Sequence, residues 1–313
     1  MTRDKTPHIT ISDREPGLPY SKGLMASQVI VSGLPAHRAY EVAETIEQQL
    51  LDEGRLSISS RDLSRIALEV LRELAGDRYA TNFERWQEVQ DLDVPLVILI
   101  GGAVGVGKST IATHLAHRLG IVRVVATDGA IREVMRAMLS AELMPALHVS
   151  TFQADQAVRE PTRRSEALVS GFREQTQAVS VGIQAMIDRS VTEGTSIVIE
   201  GVHVVPGFFE LAAHGDRLVA VPLILEVEDE GAHLDHIALR ETGIRPAERY
   251  AKHFENIRKL QRYIKSQALS HGVPIVPNHS FDHAISAVLD QVMERATAWA
   301  KDHASSHGEG RTA

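Results

Sequence analysis

Apolar residues in the first third of the chain recur every three or four positions. Between Lys22 and about Arg85, the residues Val29, Ala39, Val42, Ile46 and Leu50 mark that spacing. Asp62 or Ser60 stands where a cap is wanted for the run DLSRIALEVLREL. The pattern predicts a small helical domain of about three or four helices, closing near residues 91–95. Residues 1–20 carry several Pro and Gly with little periodicity and are expected to form an extended or loosely packed arm.

Beyond that point the pattern changes. Short β-branched runs at 96–100, 121–126, 196–200, 218–225 and 274–276 alternate with helical stretches at 109–119, 129–139, 165–189 and 249–268. Strands separated by helices imply a parallel sheet with helices on both faces. The continuous apolar run LVILI agrees, because a central parallel strand is buried on both sides. Leu168, Phe172, Val179, Ile183 and Met186 form one stripe of the longest helix, which reads as core packing. A last amphipathic helix bears Ile285, Val288, Val292 and Trp299, and the tail KDHASSHGEGRTA is polar enough to be expected disordered. The expected division is therefore 1–90, 91–300 and 301–313.

Composition narrows the class. The chain has 313 residues, 43% of them apolar and 24% charged, which suits a soluble protein with a substantial core. A net charge of −8 and only 4% aromatic residues argue against a nucleic-acid groove, so no nucleic-acid partner is expected. With no cysteine there is no disulfide, thiolate zinc site or cysteine nucleophile. The polar N-terminus MTRDKTPHITISDREPG lacks the apolar stretch of a secretory signal, and the run VPLVILIGGAVGVG is too short and glycine-broken to span a bilayer. A cytoplasmic location without membrane association is the expectation, and assembly into a homo-oligomer stays open.

The strongest chemical signal follows the first strand of the second region. Gly102 to Ser109 reads GAVGVGKS, matching GxxxxGK[ST] between an apolar strand and a helical pattern. Glycines let main-chain N–H groups turn inward around phosphate oxygens, and the helix start adds free donors. The triphosphate cradle is expected to run through Gly102, Ala103, Val104, Gly105, Val106, Gly107, Lys108, Ser109 and Thr110, binding ATP. Lys108 would neutralise the β- and γ-phosphates and Ser109 would ligate Mg²⁺. The fold class expected is thus α/β, a P-loop NTPase-type sheet of about five strands preceded by a small helical domain.

GTPases need a base-reading NKxD, which is absent, so a small-molecule kinase is the expected type. Such an enzyme needs a carboxylate by the acceptor hydroxyl, one by the metal, and arginines over the moving phosphoryl group. Asp128, just past the second strand, is the first candidate, either as base and substrate ligand or as a plain helix N-cap. Arg132, one turn on, either grips an anionic substrate or lies on a solvated basic face, as does Arg136 more distantly. Glu200 ends the strand SIVIE and takes a Walker B position as metal ligand, its alternative being a strand-end surface charge. His203 is either a substrate contact or structural. Arg240 and Arg245, with Arg249, sit in ALRETGIRPAER, where Gly243 and Pro246 break the helix; the segment is either a catalytic lid or an ordinary charged loop. The pairs His114/His117 and His233/His236 have i,i+3 spacing but no third ligand, and are not taken as metal sites.

The blocks GGAVGVGKSTIA, ATDGAIREVMR, PALHVSTFQA, GFREQTQAVSVGI and IVIEGVHVVPG, in that order, resemble those of the 2-phosphoglycerate kinase family. RYAKHFENIRKLQRYIKSQA resembles its C-terminal region. PYSKGLMASQVIVSGLPAHRAYEVAETIEQQL is similar to its N-terminal segment, which is related to ATP-cone domains. The resemblance implies transfer of the ATP γ-phosphoryl group to the hydroxyl of 2-phosphoglycerate, giving 2,3-bisphosphoglycerate and ADP. It implies a small anionic metabolite as partner.

Overall fold

The computed structural model describes residues 9–13, 17–90, 92–158, 166–239 and 247–307. Its contacts divide the chain into two compact units, one of residues up to Leu92 together with those from Ala304, the other Asp93–His303.

The first unit runs β1 (Thr10–Ile11), β2 (Leu18–Pro19), α1 (Lys22–Ile30), α2 (Ala36–Asp52), β3 (Ser57–Ile58), α3 (Ser60–Ala75) and α4 (Asp77–Gln90). The periodic residues Val29, Ala39, Val42, Ile46 and Leu50 are all buried, against Ile66, Val70, Leu71 and Phe83. Ser59, not Ser60 or Asp62, caps α3: it lies in an extended conformation and its Oγ accepts from the Asp62 N–H at 3.1 Å. Within the arm expected to be loose, the described residues 9–13 and 17–20 are tied down, and the rest lie outside the described residues. β1 pairs antiparallel with β2 and parallel with β3, so a three-stranded sheet accompanies the helices. Strands of two residues are too short to carry a period, which is why the pattern missed them.

The second unit runs β4 (Leu96–Gly101), α5 (Lys108–Leu119), β5 (Val124–Ala126), α6 (Arg132–Met138), α7 (Ala167–Glu193), β6 (Ile197–Glu200), β7 (Val219–Glu226), α8 (Glu230–Ala238), α9 (Ala247–Lys252), α10 (Phe254–Ser270), β8 (Ile275–Pro277) and, as far as His303, α11 (Phe281–His307). The strands form one parallel sheet in the order β5-β6-β4-β7-β8. The chain leaves β4 to one side and returns to the other, so the switch point, where such sheets bind ligands, lies at the carboxyl end of β4. All of β4 is buried. Val97, Leu99, Ile197 and Ile199 pack on Val179, Ile183 and Ile187 of α7, while Ile224 packs with Leu260 and Ile264 of α10.

Several elements differ from the pattern: α8 is not among the expected helices, and the helix expected over 249–268 is divided at His253 into α9 and α10. The helix expected over 129–139 opens as a π-helical turn, Thr127–Ile131, before α6. Of the tail expected to be disordered over 301–313, residues 301–307 are helical and the rest lie outside the described residues: His303 stacks on Trp299 with ring centroids 4.1 Å apart and meets Asp216 at 3.2 Å. Composition alone could not show those two partners. Among the described residues no helix is long and apolar enough to cross a membrane.

Candidate active site

Sheet register assembles the site. Glu200 is level with Ile100 on one side and with Ala126 on the other. The glycine loop leaving β4, the Glu200 carboxylate and the turn that carries Asp128 therefore meet at one sheet edge.

The loop is held from several sides. Lys108 is buried and its Nζ donates to the Ala103 carbonyl at 2.7 Å. At Gly107, φ is +87° and a Cβ would stand 2.5 Å from Asn278 Nδ2, so only glycine fits there. Asn278, just after β8, donates from Nδ2 to the Val106 carbonyl at 3.0 Å. His233 on α8 is fully buried, with Nε2 2.7 Å from the Val104 carbonyl. Arg258 lies 3.4 Å from its Nδ1. A guanidinium can only donate, so Nδ1 accepts and Nε2 carries the proton given to Val104. Burial holds the His233 ring below its ordinary pKa, against the upward pull of that carbonyl. Sequence reasoning noticed His233 only as a rejected metal ligand and passed over Asn278. Contacts spanning 129 and 172 residues leave no local signal.

Ser109 Oγ donates to Glu200 Oε1 at 2.9 Å, and Glu200 is only 5% exposed. A hydroxyl and a carboxylate at the mouth of a phosphate loop form a hard oxygen donor set of the kind Mg²⁺ prefers. The two residues expected to hold the metal are thus adjacent. Among the described residues there is no cluster of three or more His, Asp or Glu that would make a separate metal centre.

Asp128 stands beside them, its side chain 39% exposed. Burial pushes its carboxyl upward. The hydrogen bond and charge of His203, followed by the charges of Lys108 and Arg132, outweigh this and hold it well below the usual carboxylate range. Gly201, at φ +151°, makes the arrangement compact, since a Cβ would fall 1.8 Å from Thr127 Oγ1.

His203 is not where a substrate contact would need it. The side chain is fully buried, Nδ1 lies 2.9 Å from Asp128 Oδ1, and Nε2 lies 2.9 Å from Gln175 Oε1. Val202, Val204 and Val205 are buried around it, which draws this stretch under the sheet edge. His203 reaches the site through Asp128 and the neighbouring Thr127 hydroxyl. Gln175 was not singled out by the sequence, being one polar residue on a long helix.

Arg132 is partly buried, and its Nε and Nη2 donate to the Leu147 carbonyl at 3.1 and 2.8 Å; Nη2 also donates to that of Val149. Arg136 instead turns to Glu133 at 2.8 Å. Arg249 on α9 donates to Ser150 Oγ at 2.7 Å and Gln153 Oε1 at 3.0 Å, with its guanidinium 5.7 Å from the Phe152 ring centre. Arg240 and Arg245, the preferred lid pair, lie outside the described residues.

No family model matches the chain. Curated relatives do. A 2-phosphoglycerate kinase of Methanothermobacter thermautotrophicus is 39% identical over 276 residues, 87% of this chain and 89% of its own. That of Methanopyrus kandleri is 37% identical over 291 residues, covering 92% and 88%. The enzyme of Thermococcus kodakarensis is 36% identical over 287 residues, covering 92% and 97%. Identity at this level across nearly the full length of both partners, with the glycine loop on the central strand of a parallel sheet, places the chain in the 2-phosphoglycerate kinase family.

Proposed function

We propose that the chain transfers the γ-phosphoryl group of ATP to the hydroxyl of 2-phosphoglycerate, giving 2,3-bisphosphoglycerate and ADP. The observation that carries this reading is the convergence of Lys108, the Ser109–Glu200 pair and Asp128 on one edge of the sheet.

Phosphoryl transfer passes through a loose transition state, so the protein mainly positions groups and balances charge. The loop amides and Lys108 hold the triphosphate tail. Ser109 and Glu200 would hold Mg²⁺, which when bound draws charge from the phosphate oxygens. Asp128 is kept ionised and is therefore a weak base. Its role is to accept a hydrogen bond from the acceptor hydroxyl and aim it along the line of attack, taking little of the proton until the new O–P bond is well formed. Arg132, and the lid arginines Arg240 and Arg245, supply positive charge for a carboxylate and two phosphoryl groups. The acceptor is small and soluble, and the reaction fits the cytoplasm, where ATP is abundant.

The test is release of ADP from Mg·ATP in the presence of 2-phosphoglycerate, 3-phosphoglycerate, glycerate, sugar phosphates and oligonucleotides in turn. Turnover with 2-phosphoglycerate well above every other acceptor is expected. Turnover only with a sugar or an oligonucleotide would reject the acceptor and leave the kinase chemistry standing.

A further inference from the structure

Behind Asp128 stand two side chains whose polar atoms meet no solvent. Gln175 on α7 and His203 after β6 are both fully buried, and the Phe172 ring lies flat against the imidazole, with centroids 6.2 Å apart and planes 27° apart. Gln175 Nε2 donates to the carbonyls of Ala146 and Val149, the latter at 3.0 Å. Only the NH₂ end of the amide can answer two carbonyls, so these bonds fix which way it faces. Its oxygen must then point at His203 Nε2, 2.9 Å away.

An amide oxygen accepts and cannot donate, so Nε2 carries a proton. The other ring nitrogen lies 2.9 Å from a carboxylate oxygen of Asp128. A bare Nδ1 lone pair there would oppose a negative oxygen with no water reaching the fully buried ring, which is costly. Nδ1 therefore carries a proton too. Thr127 Oγ1, 3.4 Å from both Nδ1 and Asp128 Oδ1, is a hydroxyl and adds no charge. Lys108 and Arg132 also act on Asp128, and the Glu200 carboxylate at the end of the neighbouring strand accepts a hydrogen bond from Ser109.

We propose that Gln175 and His203 are positioning residues: the amide oxygen of Gln175 keeps a proton on Nε2, so His203 meets the Asp128 carboxylate with a second proton on Nδ1 and holds it ionised and in one orientation. This rests on the reading that Asp128 faces the acceptor hydroxyl. The same bonds tie Asp128 to the segment around 146–149. Arg132 donates to the Leu147 and Val149 carbonyls of the same stretch, so both Asp128 and Arg132 take their placement from it.

The test compares His203→Asn, His203→Gln, Gln175→Met and Asp128→Asn. Asparagine places an N–H near the former Nδ1 and can still donate to Asp128. Glutamine places its amide near the former Nε2 and leaves Asp128 without its imidazole donor. Outer partners of this sort commonly change rates about 10- to 100-fold. A fall in kcat of that size is expected in His203→Gln and Gln175→Met, with the KM for ATP within about twofold, and His203→Asn should recover most of the loss. Long-range ¹H–¹⁵N spectra of the wild-type protein at neutral pH should show protons on both nitrogens of one ring whose signal vanishes in His203→Asn. In Gln175→Met that ring should lose one of them.

A wild-type ring with one bare nitrogen overturns the proposal. So does an equal loss of kcat in His203→Asn and His203→Gln, which a purely structural role would produce. Should Gln175→Met fail to fold, the two His203 variants and the wild-type spectrum decide the matter alone. Full activity of Asp128→Asn would remove Asp128 from the reaction, while the doubly protonated ring would still be visible.

Discussion

Lys108 and Asp128 are each one side chain on a backbone that would fold without them, so their loss should appear in rate before it appears in fold. Lys108→Ala removes the cation expected at the β- and γ-phosphates. Its kcat/KM for ATP should fall on the order of 10²- to 10³-fold, the usual cost of losing one preorganised charge partner, as read by ADP release. Asp128→Asn keeps the shape and loses the charge, and a fall of about 10²-fold in kcat is expected, the low end for an acid–base group because the carboxylate is a weak base. The depressed carboxyl also gives a signed stability prediction. A carboxyl whose folded pKa lies below its unfolded value contributes stability above the unfolded value, about 3.9, and loses it as pH falls through the folded one. The gap in urea midpoint between wild type and Asp128→Asn should thus close as pH falls below about 4. A gap that instead closed between pH 5 and 7 would mean that Asp128 is not held ionised by its neighbours.

At the scale of elements, the phosphate loop is a short turn clamped by pieces distant in sequence. α8 contributes His233 to the Val104 carbonyl, and the end of β8 contributes Asn278 to that of Val106. Asn278→Ala deletes one buried hydrogen bond. It also removes an amide oxygen that has no hydrogen-bond partner among the described residues, so the net cost should be modest. About 1 kcal/mol, or roughly a fivefold rise in the KM for ATP with kcat little changed, is the expected outcome of steady-state kinetics. An unchanged KM would mean that the loop keeps its shape without this clamp. The element that sequence reasoning read least well was the turn after β5. TDGAI looks like the start of a helix, and it is helical, but as a π-helical turn that precedes α6. Local propensity does not separate i,i+5 from i,i+4 bonding there.

For the whole molecule, binding energy should appear as stability. A ligand that binds only the folded state adds about 2.7 kcal/mol at a hundred times its Kd. Mg·ATP should accordingly raise the melting temperature of the wild type, an excess of chelator should remove most of that rise, and Lys108→Ala should show little of it. A shift of equal size in Lys108→Ala would place the nucleotide somewhere other than the glycine loop.

The sequence by itself determined the alternation of strands and helices, the buried stripes, the phosphate loop and the carboxylates at strand ends, because each is written in neighbouring residues as a period or a short motif. Strand order, register and partners came only with the tertiary structure. Glu200 meets Ser109 because β6 lies beside β4, and His203 and Gln175 stand behind Asp128 because α7 crosses under the same edge. These contacts join residues 28 to 91 positions apart, and their geometry follows from how the layers pack rather than from any local preference of the chain.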